Sequence, residues 1–167
     1  SLKHLYPSIE IDLLINLAGA SVGEGKWSPQ RKQALLDSRL QPTRELGAWL
    51  QQREHNRPKM IIQASAVGYY GNGSQAGWPV CDENSPPQAV FVSELCRQCE
   101  QAAQENQRSS GIPTAVCRLG VVLGRGGGIL PQLLKPVSFG LGRIGSGRQP
   151  LTWIHMADVI GAMRFLS

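Results

Sequence analysis

Hydrophobic positions fall into two kinds of run along this chain: short continuous ones, and longer ones spaced like one face of a helix. Residues 61–71 read Ile-Ile-Gln-Ala-Ser-Ala-Val-Gly-Tyr-Tyr-Gly, an apolar run that stops at Ala64-Ser65 and gives way to small residues and a turn. A buried strand of a parallel sheet has this continuous pattern, and it delivers polar groups to its carboxyl edge. A second such run at 13–15 ends in Asn16 and the small pair Ala18-Gly19. A third, at 114–118, follows Gly111-Ile112-Pro113.

Between these strands the period lengthens. Ser28-Pro29 marks a helix start, with Ser at the N-cap and Pro at the first helical position. Apolar residues then recur at Ala34, Leu35, Leu36, Leu40, Leu46, Trp49 and Leu50. That spacing fits one long helix, or two joined at Pro42, where a helical hydrogen bond must be lost. A loop at 72–84 carries Trp78 and the acidic pair Asp82-Glu83; its length at a strand's carboxyl edge points to function rather than connection. The next helix is predicted over 89–107, with Phe91, Leu95, Cys99, Ala102 and Ala103 on one face.

Strand, helix, strand, helix, strand at this spacing implies βαβ units with right-handed crossovers, hence an α/β parallel sheet. Beyond Leu119 come a Gly-rich turn at 124–128, a short helix at 129–137 and a Gly-rich loop at 139–149. A short strand at 151–155 and a helix at 157–166 close the chain.

Composition removes several function classes. The 167 residues suit one domain with a real core, and no apolar run approaches the length needed to span a bilayer. The first residues lack the apolar stretch of a secretory signal, so a cytoplasmic location is expected, with no membrane partner. The net charge of +5 is scattered among separate Arg and Lys positions, which argues against nucleic acid as a partner. Cys96 and Cys99 have the spacing of a metal or redox pair, but they fall inside a helix with no second ligand pair. No metal is expected, and the cysteines are read as buried or half-buried free thiols.

Five pieces stand in a recognisable order: Asn16-Leu-Ala-Gly19, Ser65-Ala-Val-Gly-Tyr-Tyr-Gly71, Arg118-Leu-Gly-Val-Val-Leu-Gly124, Gly145-Ser-Gly-Arg-Gln149 and Trp153-Ile-His-Met-Ala-Asp158. Together they resemble the extended short-chain dehydrogenase/reductase superfamily. Trp27, Arg31-Lys32, Ser38-Arg39, Thr43 and the doubled Tyr69-Tyr70 resemble its atypical "epimerase family" branch of NAD(P)-binding proteins. The resemblance implies a Rossmann-like doubly wound sheet. It places Leu17, Ala18 and Gly19 along the adenine ribose and pyrophosphate of NAD or NADP. Ala64 and Ser65 would lie beside the nicotinamide ribose, and Gly120 and Val121 against the ring.

The departures from that pattern are specific. No Gly-x-x-Gly-x-x-Gly turn precedes the strands, so the chain reads as a fragment holding strands four to six of the parent sheet. Residues 1–124 would be the later part of the cofactor-binding domain and 125–167 the start of a substrate-side region. Such a fragment is expected to bind NAD(P) weakly or not at all, and to self-associate through the exposed sheet edge.

The superfamily's Tyr-x-x-x-Lys pair, in which a nearby cation eases loss of the phenolic proton, falls on Phe91 and Leu95. Its Ser or Thr falls on Ala66 or, with a one-residue shift, Ser65. Arg39 stands where an Asn is usual, and Gln149 is followed by Pro150-Leu151 rather than by a diphosphate-clamping Arg.

The candidates that remain are Ser65, Tyr70 and Arg39 for catalysis, with Arg148, Gln149 and His155 for a small-molecule substrate. Tyr69 and Tyr70 are either proton donors or packing residues with their hydroxyls on backbone groups. His155 either titrates in catalysis or orders the start of the last helix. Arg118 is expected to pair with a carboxylate, the acidic loop being nearest in view. The functional reading is an NAD(P)-dependent oxidoreductase of epimerase/dehydratase type; the alternative is a module that binds or senses NAD(P) without chemistry.

Overall fold

The computed structural model describes residues 9–71, 80–125, 128–140 and 149–167. Their contacts divide at Arg118/Leu119 into two units. The first is a three-stranded sheet carrying two long helices: β1 (Leu13–Asn16), α1 (Pro29–Gln51), β2 (Met60–Ala66), α2 (Phe91–Ser110) and β3 (Thr114–Leu119). Strand order is β1-β2-β3. β1 pairs with β2 in parallel, Leu13 opposite Met60 through Asn16 opposite Gln63. The continuous apolar runs thus form a parallel sheet.

α1 starts where Ser28-Pro29 predicts: the Ser28 hydroxyl accepts from the Arg31 amide at 3.2 Å. It runs unbroken through Pro42, which settles the choice between one helix and two. Buried side chains lie on both sides of the proline and hold the helix in place: Leu35 and Leu40 before it, Thr43, Leu46 and Leu50 after it. Burial on that scale outweighs a single missing bond. Leu46 and Leu50 pack on Ile61 of β2 and Ile112, with Leu14 alongside.

α2 packs against α1 through Leu40, Leu95, Cys99 and Ala102. The two helices approach closely at Gly47, where any side chain would overlap Asn106. Asn106 Nδ2 donates to the Thr43 carbonyl at 2.6 Å and bolts the pair together. α2 begins at Phe91, two residues later than the pattern predicts, and Gly111 in the left-handed conformation ends it.

The second unit holds β4 (Val121–Leu123), α3 (Leu130–Ser138), β5 (Trp153–His155) and α4 (Met156–Leu166). β4 and β5 pair in parallel, Val121 opposite Trp153. β5 falls within the strand expected at 151–155, whereas β4 was not expected. The His155 Nδ1 accepts from the Ala157 amide at 3.2 Å, so this side chain caps α4. Val159 and Met163 turn the helix's apolar face inward. Among the described residues no helix is long and apolar enough to cross a membrane.

Candidate functional site

The site assembles where β1 and β2 end. Strand alternation puts Ile61, Gln63 and Ser65 on the helix-bearing face of β2: Ile61 under α1, Gln63 bonded to Asn16, Ser65 bonded to α2. Asn16 Nδ2 donates to Gln63 Oε1 at 2.8 Å and to Thr43 Oγ1 at 3.1 Å, and Thr43 Oγ1 donates to the Arg39 carbonyl at 2.8 Å. This tie consumes polar groups that burial would otherwise leave unpaired. It also fixes the two strand ends against α1.

Beyond the tie, Leu17, Ala18 and Gly19, just after β1, and Ala64, Ser65 and Ala66 of β2 surround a cavity of about 140 Å³. Arg39 of α1 and Leu95, Cys96 and Cys99 of α2 complete the wall. Six of the predicted site residues thus meet at one place: Leu17, Ala18, Gly19, Arg39, Ala64 and Ser65. Whole-ligand pockets start near roughly 300 Å³, so this cavity suits one ring or one small group, not an entire dinucleotide. Small side chains at both strand ends leave room for a flat ring, and in that respect the residues fit the nicotinamide end of a cofactor.

Ser65 is more committed than its sequence position suggests. Its hydroxyl donates to Glu100 Oε1 at 2.6 Å. Glu100 is buried on α2 and forms a bidentate pair with Arg118 of β3, Nε to Oε1 at 2.9 Å and Nη2 to Oε2 at 2.8 Å. Arg118 Nη1 donates in turn to the Tyr70 hydroxyl at 2.9 Å and to the Glu83 carbonyl at 3.0 Å. The Tyr69 ring lies against the guanidinium, 3.5 Å from its carbon to the ring centroid. These bonds raise the Arg118 pKa still further, Glu100 being the main cause.

Two expectations change as a result. The partner of Arg118 is Glu100 rather than a carboxylate of the acidic loop, which contributes only the Glu83 carbonyl. The Tyr70 hydroxyl rests on a guanidinium rather than on backbone, and the doubled tyrosine is a clamp around Arg118. Larger polar hollows of about 360 and 330 Å³ flank this network. Arg118 and Arg97 there are engaged by Glu100 and Glu94, Arg108 lines the larger hollow as well, and neither hollow includes the gathered strand ends.

Glu100, Cys96 and Cys99 were not singled out by sequence as site residues. The signal for Glu100 existed: it sits among Cys96, Cys99 and Ala103 on the buried face of α2. A carboxylate there needs a partner. Burial pushes both thiols up, Cys99 to about 11, so they are protonated at neutral pH. Cys117 is half-buried, but Cys81 is exposed, against expectation, because it lies in the loop before α2.

Phe91 and Leu95, where a Tyr and a Lys would be sought, are packing residues. Phe91 meets Trp27 edge-on at 5.4 Å, and Leu95 is buried against Leu40 and Cys99. Tyr70 does not line the cavity. Gly120 and Val121 belong to the second unit, where the Val121 amide donates to the Thr152 carbonyl at 2.8 Å. Gln149 and His155 are exposed. Arg148 and the loop at 72–79 lie outside the described residues.

The family model described as "NAD dependent epimerase/dehydratase family" matches residues 1–167. An epimerase family protein of Mycobacterium bovis is 39% identical over 157 residues, covering 93% of this chain and 50% of its own length. Human epimerase family protein SDR39U1, solved with NADPH, superposes with a TM-score of 0.79 at 33% identity, over 93% of this chain and 52% of that one. A nucleoside-diphosphate sugar epimerase of Corynebacterium glutamicum gives 0.74 at 31% identity, over 92% and 31%. The chain therefore spans about half the length of the curated relatives it matches.

Proposed function

The chain belongs to the NAD-dependent epimerase/dehydratase family, and from that premise we propose that it supplies part of an NAD(P) site in an epimerase-like oxidoreductase acting on a small molecule. The observation that carries this reading is the convergence of Leu17, Ala18, Gly19, Ala64 and Ser65 on one cavity at the carboxyl ends of parallel strands. When bound, the nicotinamide supplies or accepts hydride. Ala64 and Ser65 would border its ribose, Leu17 to Gly19 the adenine ribose and pyrophosphate side, and Gly120 and Val121 the ring.

Ser65 holds a proton between the cavity and Glu100, and Arg39 presents positive charge to the cavity. Tyr70 takes part through Arg118, which orients Glu100. Arg148, Gln149 and His155 are assigned to the substrate. The NADPH found in the human relative supports a nicotinamide cofactor. Titration of the native full-length protein with NADH and NADPH, followed by fluorescence, tests the reading. Saturable binding is expected, with absorbance change at 340 nm when the right carbonyl or hydroxyl compound is added. Absence of binding by either cofactor removes it.

One observation favours binding without chemistry. Phe91 and Leu95 are packed into the protein, and the Ser65 and Tyr70 hydroxyls are already bonded. Saturable cofactor binding with no turnover across a broad set of alcohols, ketones and sugar nucleotides would decide for that alternative.

A further inference from the structure

Arg39 is half-buried, and among the described residues it has no carboxylate partner. Its guanidinium is held by backbone instead: Nη1 donates to the Leu35 carbonyl and Nη2 to the Ala20 carbonyl, each at 3.0 Å, with a longer contact of 3.4 Å to Ser38 Oγ. Carbonyl dipoles fix the fork in place and leave its unit charge uncancelled. Gly19 lies so close that a Cβ there would come within 2.8 Å of the guanidinium carbon. The charge is therefore held at the cavity wall beside the β1 end.

The other charges near the cavity do not offset it. Glu100 sits behind Ser65, and its charge is met by Arg118. Arg39 lines the same cavity as Cys96 and Cys99 and acts to lower both thiols, although burial outweighs it. A cationic group entering this cavity meets an unanswered like charge in a partly desolvated setting, where such repulsion is strong.

We infer that the cavity selects ligands by charge, taking a neutral reduced nicotinamide ring in preference to the cationic oxidised ring, with Arg39 as the discriminating residue. This rests on the reading that Ala64 and Ser65, in the wall of this cavity, border the nicotinamide ribose, so that the attached ring feels the Arg39 charge. The oxidised and reduced rings are nearly the same in shape and differ by one positive charge. A fixed cation at the wall is thus a means of telling them apart without any contact specific to either.

The test measures dissociation constants of NADH, NAD⁺, NADPH and NADP⁺ for the native full-length protein and its Arg39→Lys, Arg39→Met and Arg39→Gln variants, with melting temperatures for each. The wild type should bind the reduced form about tenfold more tightly, about 1.4 kcal/mol. Arg39→Lys keeps the charge and should keep most of that ratio, while the two neutral variants should bring it close to one. A wild-type ratio near one, or a ratio unchanged in a folded neutral variant, overturns the inference and leaves the cofactor reading standing. If none of the four cofactors binds the wild type, the cofactor reading itself falls, and the inference with it. Should both neutral variants unfold, the wild-type ratio is measured against ionic strength. Narrowing with salt supports the charge mechanism, and a flat ratio sinks it.

Discussion

Two arginines flank the two long helices, and they are treated in opposite ways. Arg118, on β3, is saturated: a bidentate carboxylate, a phenol, an aromatic face and a carbonyl surround it. Among the described residues, Arg39, on α1, donates hydrogen bonds to carbonyl oxygens and a serine alone. The first arrangement closes a gap between α2 and the sheet and asks for nothing further. The second holds a charge in position and leaves it open at the cavity wall. A half-buried cation becomes informative about ligands only after its compensation has been traced atom by atom.

That contrast predicts a graded series of stabilities. Arg118→Met should be the most damaging change, because it leaves Glu100 buried without its cation. A loss of about 3–5 kcal/mol is expected in denaturant unfolding, and the Glu100→Gln/Arg118→Met double variant should lose less than the sum of the singles. A strictly additive result would mean that the pair is not a coupled unit. Tyr70→Phe removes one acceptor from the same guanidinium and should lower stability by about 1 kcal/mol in the same assay. Arg39→Lys should cost less than about 1 kcal/mol, since only backbone bonds are weakened and no carboxylate is orphaned. A loss matching that of Arg118→Met would erase the distinction between the two sites.

The weakest member of the series is a pair in water. Arg97 holds the Glu94 carboxyl at about 2, first through its hydrogen bonds and with help from Gln98. Because the folded value lies below the unfolded one, the stabilisation is full above the ordinary carboxylate range and disappears as pH falls through about 2. Both side chains are nearly half exposed, at 44% and 46%, so solvent screening keeps the effect to roughly 0.5 kcal/mol. Glu94→Gln should lower the melting temperature slightly at pH 7, and by progressively less as the pH falls towards 2.

Much of the fold was legible because burial writes itself into spacing. The runs at 13–15, 61–66 and 114–118 became the sheet, and the face of Phe91, Leu95, Cys99 and Ala102 became the α1 contact. The convergence of Leu17–Gly19 with Ala64–Ser65 followed from both segments ending parallel strands. What stayed hidden was pairing between distant polar groups. Glu100 meets residues 35 positions before it and 18 after it, and Tyr70 meets one 48 positions on. Nothing local at Arg118 distinguishes a helix carboxylate from one in the acidic loop. β5 was expected at 151–155, but β4 was hidden for another reason: a strand of three residues is too short for either period to register.

The Asn16 tie has a consequence for how the chain folds. Residues 16 and 63 are 47 positions apart, and β1 must wait for all of α1 before its neighbour exists. Parallel pairings of that range form late and are open to slippage. An error of one residue would turn Ile61, Gln63 and Ser65 to the opposite face of the sheet. Asn16 would then be buried without the Gln63 amide oxygen that accepts from it, and Ile61 would leave its place under Leu46 and Leu50. The three polar side chains thus act as a proofreading device, penalising a misaligned β2 before α2 and β3 can be added on top of the mistake.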